Sequence, residues 1–214
     1  MGNKLAPSIQ QQVEQGINVL KQGGIVAFPT DTVYGLGAAI NIAPAVAKVY
    51  QVKGRPPSMA LPILLADKSE ITEVAEAVPP VAWLLADKFL PGALTMVLLK
   101  SESVPDIVSG GGRTIAIRIP AHPVPISLAR GLGAPIVGTS ANLSGSPSAL
   151  TAKEVYNQLG DRVDLIINGG RCPGGRESTI VDLTGETPLI LRQGAISAAE
   201  LKKVCPSLAL AEGG

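Results

Sequence analysis

Apolar residues recur at Ile9, Val13, Ile17 and Leu20, the spacing of one helical face, and predict a helix over 8–22 that Ser8 caps and Gly23-Gly24 end. The apolar run 24–28 reads as a buried strand. Pro44 opens a second helix through Tyr50. The run 61–66 reads as another strand, and 69–77 and 80–89 read as helices. Pro91-Gly92 break the chain before a strand over 94–99. Residues 114–119, TIAIRI, alternate: Ile115, Ile117 and Ile119 take one face, and Thr114, Ala116 and Arg118 the other. A helix over 124–131 and a short strand over 135–139 follow. Thr151 caps a helix over 152–159, strands fall near 163–167, 178–183 and 188–192, and a last helix over 198–204 starts after Ser197.

Strands interleaved with helices, then strands in succession, predict a single α/β domain over 1–214 built on a mixed sheet. No repeat and no linker divides the chain. With 214 residues and 46% hydrophobic composition it can bury a substantial core. The 24 glycines and 18 prolines fall at the ends of apolar runs, as turn punctuation. No apolar run reaches the roughly 18–20 residues that span a bilayer, so a soluble cytoplasmic protein without membrane contact is expected.

Charge and aromatic content narrow the function. The 18 Lys+Arg nearly cancel 17 Asp+Glu, and aromatics are 3%, which argues against base stacking and against a broad nucleic-acid footprint. Cys172 and Cys205 lack metal-ligand spacing and read as free thiols, with a disulfide as the alternative. No His/Cys/Asp/Glu cluster has the spacing of a dedicated metal site.

Polar groups at the ends of apolar strands are the candidates for chemistry, because loops gather ligands there. In AFPTDTVYGLG, residues 27–37, Thr30 and Thr32 share one side of an extended chain, and Asp31 suits a turn that caps backbone amides. KGRP places Lys53 and Arg55 just after the second helix, as a polyphosphate cradle or as a solvated surface pair. Arg118 stands in mid-strand among small neighbours and needs an anion: a substrate carboxylate, a phosphate, or an internal Asp or Glu. GTSANLSG offers Ser140 and Asn142 as a ligand cradle or as an ordinary Ser-rich turn. Ser178 opens a strand and Arg192 ends one. No P-loop is present, and His122, the single histidine, reads as a loop residue rather than a base.

In order, PTDTVYGLG, KGRP, FLPGALT, TIAIRIPAHP, TSANLSG, ESTIVDL and LRQG resemble the YrdC-like family of threonylcarbamoyl-AMP synthases over about residues 12–197. The resemblance implies a twisted mixed sheet flanked by helices, with a concave, positively charged cavity, in the short single-domain form. It implies synthesis of threonylcarbamoyl-AMP and pyrophosphate from L-threonine, bicarbonate or CO2, and ATP. A separate transferase complex then carries the group to tRNA. Thr32, Arg118, Ser140 and Ser178 would hold threonine; Lys53, Arg55, Thr114, Asn142 and Arg192 would hold ATP. Lys53, Arg55, Ser140 and Asn142 would stand at the reacting centre. Mg2+ would arrive with ATP, without protein ligands of its own. Met59, Leu64 and Leu150 depart from the family pattern. The alternatives are a module binding double-stranded RNA or tRNA, and a paralogue using another carbamoyl or acyl-adenylate substrate. Internal acids neutralising Arg118 and Arg192, or side chains turned away from a hollow shared by Thr32 and Ser140, would undo the main reading.

Overall fold

The computed structural model describes residues 5–211; the first four and last three residues of the expected 1–214 domain lie outside that range. Helix α1 (Pro7–Lys21) begins with proline at its first turn, where the missing N–H costs nothing, so Ser8 lies inside it and is not its cap. The Gly24 amide returns to Val19 O and Gly23 takes φ +79°, so the two glycines end the helix as expected. Then come β1 (Val26–Phe28), β2 (Gly35–Gly37), α2 (Ala43–Lys53) and β3 (Ile63–Leu64). A turn at Lys68–Glu70 and the single turn α3 (Ile71–Val74) replace the longer helix predicted there. Next are α4 (Pro80–Phe89), β4 (Leu94–Leu99), the short α5 (Asp106–Ser109), β5 (Thr114–Arg118) and α6 (Pro123–Leu132). The chain closes with β6 (Ile136–Val137), β7 (Thr139–Ser140), α7 (Ala152–Leu159), β8 (Leu165–Ile166), β9 (Thr179–Asp182), β10 (Leu189–Arg192), α8 (Ala198–Lys202) and β11 (Ala209–Leu210).

The fold is one α/β domain in which parallel and antiparallel pairings mix, but the strands divide between two sheets. One has the order β7-β2-β1-β8, and the other β11-β10-β9-β4-β5-β3-β6. The predicted strand 135–139 is the point of exchange: β6 pairs with β3 in the large sheet, and β7 pairs with β2 in the small one. Gly138 makes the step between them, packed so closely that a Cβ there would stand 2.2 Å from the Leu64 side chain.

The two faces of the large sheet have different fates. Leu94, Met96, Leu98, Ile115 and Ile117 face the main core and are almost fully buried. At roughly 1.5–3 kcal/mol for each such side chain, this face supplies much of the domain's stability. The opposite face carries Thr95, Val97, Ala116 and Arg118, which line a cavity. A smaller core under α1 and α6 holds Val13, Leu20, Phe28, Val124 and Leu128. Cys172 and Cys205 are both free and buried.

Candidate functional site

The cavity measures about 580 Å³, within the usual range for small-molecule sites. Its floor is the cavity-facing side of β4, β5 and β9, and its walls are the ends of β1, α2, β7 and β10 with their loops. Thr32, Lys53, Arg55, Arg118, Ser140, Asn142, Ser178 and Arg192 all line it, so eight of the nine proposed site residues, from distant segments, share one hollow. Thr114 is the exception. It opens β5 opposite Leu99 and is not part of the cavity wall.

Arg118 is buried, and each of its nitrogens has a partner. Nε donates to Gly92 O at 3.0 Å, Nη1 to Thr32 Oγ1 at 2.9 Å and Nη2 to Asp31 Oδ1 at 2.7 Å. The same Asp31 oxygen accepts the Ala121 amide at 3.1 Å, so Asp31 both caps an amide and orients a guanidinium. Burial lowers the Arg118 pKa and the Asp31 charge opposes that shift. A guanidinium has five N–H groups, so two remain for an incoming acceptor. Arg192 repeats the pattern at the rim. Its Nη1 pairs with Glu177, and Nε and Nη2 donate to Ser178 O at 3.3 and 2.9 Å.

Both arginines therefore have internal carboxylates, the observation named above as adverse, yet both face the hollow that Thr32 and Ser140 share. The balance decides what this means. Lys53, Arg55, Arg118 and Arg192 outnumber Asp31 and Glu177, so the site keeps two positive charges in excess. A low-dielectric cavity focuses such an excess on an anion.

Lys53 closes α2 rather than following it, and Gly54 at φ +62° turns the chain away. Its Nζ donates to Ser140 O, to Asn142 O at 2.9 Å and to Asn142 Oδ1 at 3.1 Å, which uses all three ammonium hydrogens. Lys53 thus fixes the backbone of the 140–142 segment while adding its charge. Burial, with Arg55 adding and Glu177 opposing, pushes its pKa from 10.5 down to about 8. Asn142 Nδ2 donates to Ser146 O at 2.6 Å, which folds the Ser-rich loop over the site. Arg55 donates through Nε to Met59 O and through Nη2 to Ala60 O, shaping its own loop, and burial lowers its pKa.

Sequence reasoning missed three contributors. Thr95 bonds Ser178 Oγ at 2.7 Å on the floor, and Tyr34 and Glu177 stand in the wall. Thr95 carried a signal: it shares the Val97 side of an apolar strand whose other side is core. Of the three departures, Met59 and Leu64 line the cavity and Leu150 does not. His122 caps α6, its Nδ1 accepting the Val124 amide at 3.2 Å, and burial lowers its pKa. No cluster of three or more His, Cys, Asp or Glu side chains occurs among the described residues. The acids nearest the cavity are engaged by arginines, a poor arrangement for a resident metal.

These features define an α/β domain with a cavity lined by four cationic side chains, and comparison with known proteins identifies its family. The Sua5/yciO/yrdC family model, described as "Telomere recombination", matches residues 18–194, and the chain belongs to that family. It is 42% identical over 185 residues to the threonylcarbamoyl-AMP synthase of Pyrococcus abyssi, covering 86% of this chain and 54% of that protein. The crystal structure of P. abyssi Sua5 complexed with L-threonine superposes with a TM-score of 0.93 at 37% identity, over 98% of this chain and 61% of that one. Escherichia coli YciO gives a TM-score of 0.82 at 30% identity, over 90% and 93% of the respective chains. The chain thus spans little more than half the length of the P. abyssi relative and nearly all of YciO.

Proposed function

We propose that this protein is a nucleotidyltransferase that forms threonylcarbamoyl-AMP and pyrophosphate from L-threonine, bicarbonate or CO2, and ATP. The observation that carries this reading is the convergence of Arg118, Thr32 and Ser178 with Lys53, Arg55 and Arg192 on one cavity. An amino acid presents a carboxylate and an amine, and the inner end offers a guanidinium beside neutral hydroxyls. A triphosphate presents several negative charges, and the same cavity offers three further cations, Lys53, Arg55 and Arg192.

In the proposed reaction the threonine amine nitrogen attacks the carbon of CO2, one C–O π bond opens, and an N–H proton leaves to solvent to give a carbamate. A carbamate oxygen attacks the α-phosphorus of ATP, and the bond to the bridging oxygen breaks as pyrophosphate leaves. Nucleophile and electrophile are both anionic, so the protein's task is to screen repulsion and align the two. Arg118 would hold the carboxylate. Arg55 and Arg192 would meet phosphate oxygens, while Lys53 holds the 140–142 segment in place and lowers the local potential. Mg2+ would enter as part of the nucleotide substrate. The product would pass to a tRNA-threonylcarbamoyl transferase complex in the cytoplasm. No helix among the described residues is long and apolar enough to cross a membrane.

A second reading, a paralogue acting on a different amino acid or acyl group, draws support from Met59 and Leu64, the two departures that face the cavity. One experiment separates them. Purified protein is incubated with ATP, Mg2+ and labelled bicarbonate, with and without threonine. Threonine-dependent pyrophosphate and a labelled adenylate are expected. A preference for serine would favour the paralogue, and tRNA binding with no product from any amino acid would favour an RNA-binding module.

A further inference from the structure

The hydroxyl of Thr32 has a fixed polarity, and a second threonine fixes it. Thr30 is 4% exposed and Thr32 1%. Thr30 Oγ1 lies 2.7 Å from Val33 O, which can only accept, so the single Thr30 hydroxyl hydrogen is committed there. The two acceptor positions of Thr30 Oγ1 are then taken by the Thr32 amide at 3.0 Å and the Thr32 hydroxyl at 3.0 Å. Thr32 must be the donor in the hydroxyl pair, because Thr30 has no second hydrogen to give. Thr32 Oγ1 in turn accepts from Arg118 Nη1 at 2.9 Å. Its hydrogen and one lone pair are used, and one lone pair remains on the side chain of a residue that lines the cavity.

We propose that Thr30 is a positioning residue that makes Thr32 a hydrogen-bond acceptor only, so that the ligand group received there is a donor: the amine of an α-amino acid whose carboxylate lies on Arg118. This rests on the threonine reading above and deepens it. Once the ammonium has lost a proton to solvent, the amine that gives one N–H to Thr32 has its lone pair directed elsewhere, free to attack the carbon of CO2. A second proton leaves to solvent as the N–C bond forms and one C–O π bond becomes the carbamate oxyanion. A hydroxyl able to donate would compete for that lone pair and hold the amine in an unreactive orientation. The Thr30 hydroxyl, engaged by Val33 O and by the Thr32 amide and hydroxyl, acts through Thr32.

The test compares wild type with Thr30→Val, which keeps the shape and removes the oxygen, and with Thr30→Ser, which keeps it. Binding of L-threonine and of 3-hydroxybutyrate, its analogue without the amine, is measured by calorimetry, alongside the KM values for threonine and ATP. Wild type and Thr30→Ser should favour threonine over the analogue by at least about tenfold. Thr30→Val should lose most of that preference and raise the threonine KM about tenfold, with the ATP KM changed less than about twofold. If Thr30→Val misfolds, Thr30→Ala, which also removes the oxygen, takes its place under the same criteria. A wild type that binds threonine but does not discriminate against the analogue, a Thr30→Val protein that keeps the preference, or a Thr30→Ser protein that loses it, overturns the relay alone. A wild type that binds no threonine overturns the threonine reading and the relay together.

Discussion

Arg118 and Arg192 make the same three kinds of contact in two different media. Arg118 gives one N–H and Arg192 two to a backbone carbonyl, each gives another to a carboxylate, and each has a hydroxyl neighbour, Thr32 or Ser178. The side chains of Arg118 and Asp31 are 9% and 16% exposed, whereas those of Arg192 and Glu177 are 43% and 35% exposed. Water screens the outer pair and leaves it adaptable. The inner pair is held by burial, so its charge and direction are available to a ligand without rearrangement. The difference teaches that a shared bonding pattern does not imply a shared role: in the proposed reaction the inner arginine would define geometry, and the outer one would add charge against a polyphosphate.

The sharpest way to break this contrast is Arg118→Ala. Threonine use should fall roughly 10- to 150-fold, the equivalent of about 1.5–3 kcal/mol for a charge-assisted contact, with a much smaller effect on ATP. The variant should also melt earlier, because Asp31 is left partly buried without its cation. Threonine titration at saturating ATP and a melting curve check both; an unchanged threonine KM would refute the inner assignment.

Lys53 comes next. With its pKa near 8, raising the pH through that value removes the ammonium, so nucleotide affinity should decline over that interval. Stability moves the other way. The lowered pKa means that the folded state resists the charge, so the penalty is fully present below about 8 and is relieved as pH rises from there towards 10.5. Lys53→Met should abolish the pH dependence of ATP binding and weaken it about tenfold at neutral pH. A pH series of ATP titrations on both proteins tests this, and parallel slopes would contradict it.

Arg192→Ala should have the smallest effect. An exposed pair contributes about 0–1 kcal/mol, so ATP affinity should drop no more than about fivefold. The loss should shrink further as salt is raised, whereas the Arg118→Ala defect should not.

These comparisons explain what the sequence could reveal. Helix 80–89, helix 152–159 and strand 94–99 were placed to the residue, because proline, a Thr151 cap and Pro91-Gly92 mark their ends chemically. Strand β2 went unseen because Gly35 and Gly37 carry no β-forming side chain. Their place is set by the Phe28 ring, which a Cβ at either would approach to 2.7 Å. Lys53 was read as following its helix because Gly54 obscured the last turn, and β11 is defined only by its partner β10. In the site, Arg118 announced itself as a cation in an alternating strand, but its choice of Asp31 is a tertiary fact. Thr114 was carried over from the resemblance and shares the alternation of Arg118, yet at the strand's first residue it falls outside the cavity. Hydrogen-bond direction, as in the Thr30–Thr32 relay, becomes legible only when each partner is known.

A crystal structure of the protein with L-threonine is the most direct test of the convergence on which all of this depends. The threonine carboxylate should lie within hydrogen-bonding distance of Arg118 and its amine against Thr32, with Asp31 still holding the guanidinium. Threonine bound at the Arg192 rim, or outside the cavity altogether, would contradict the account.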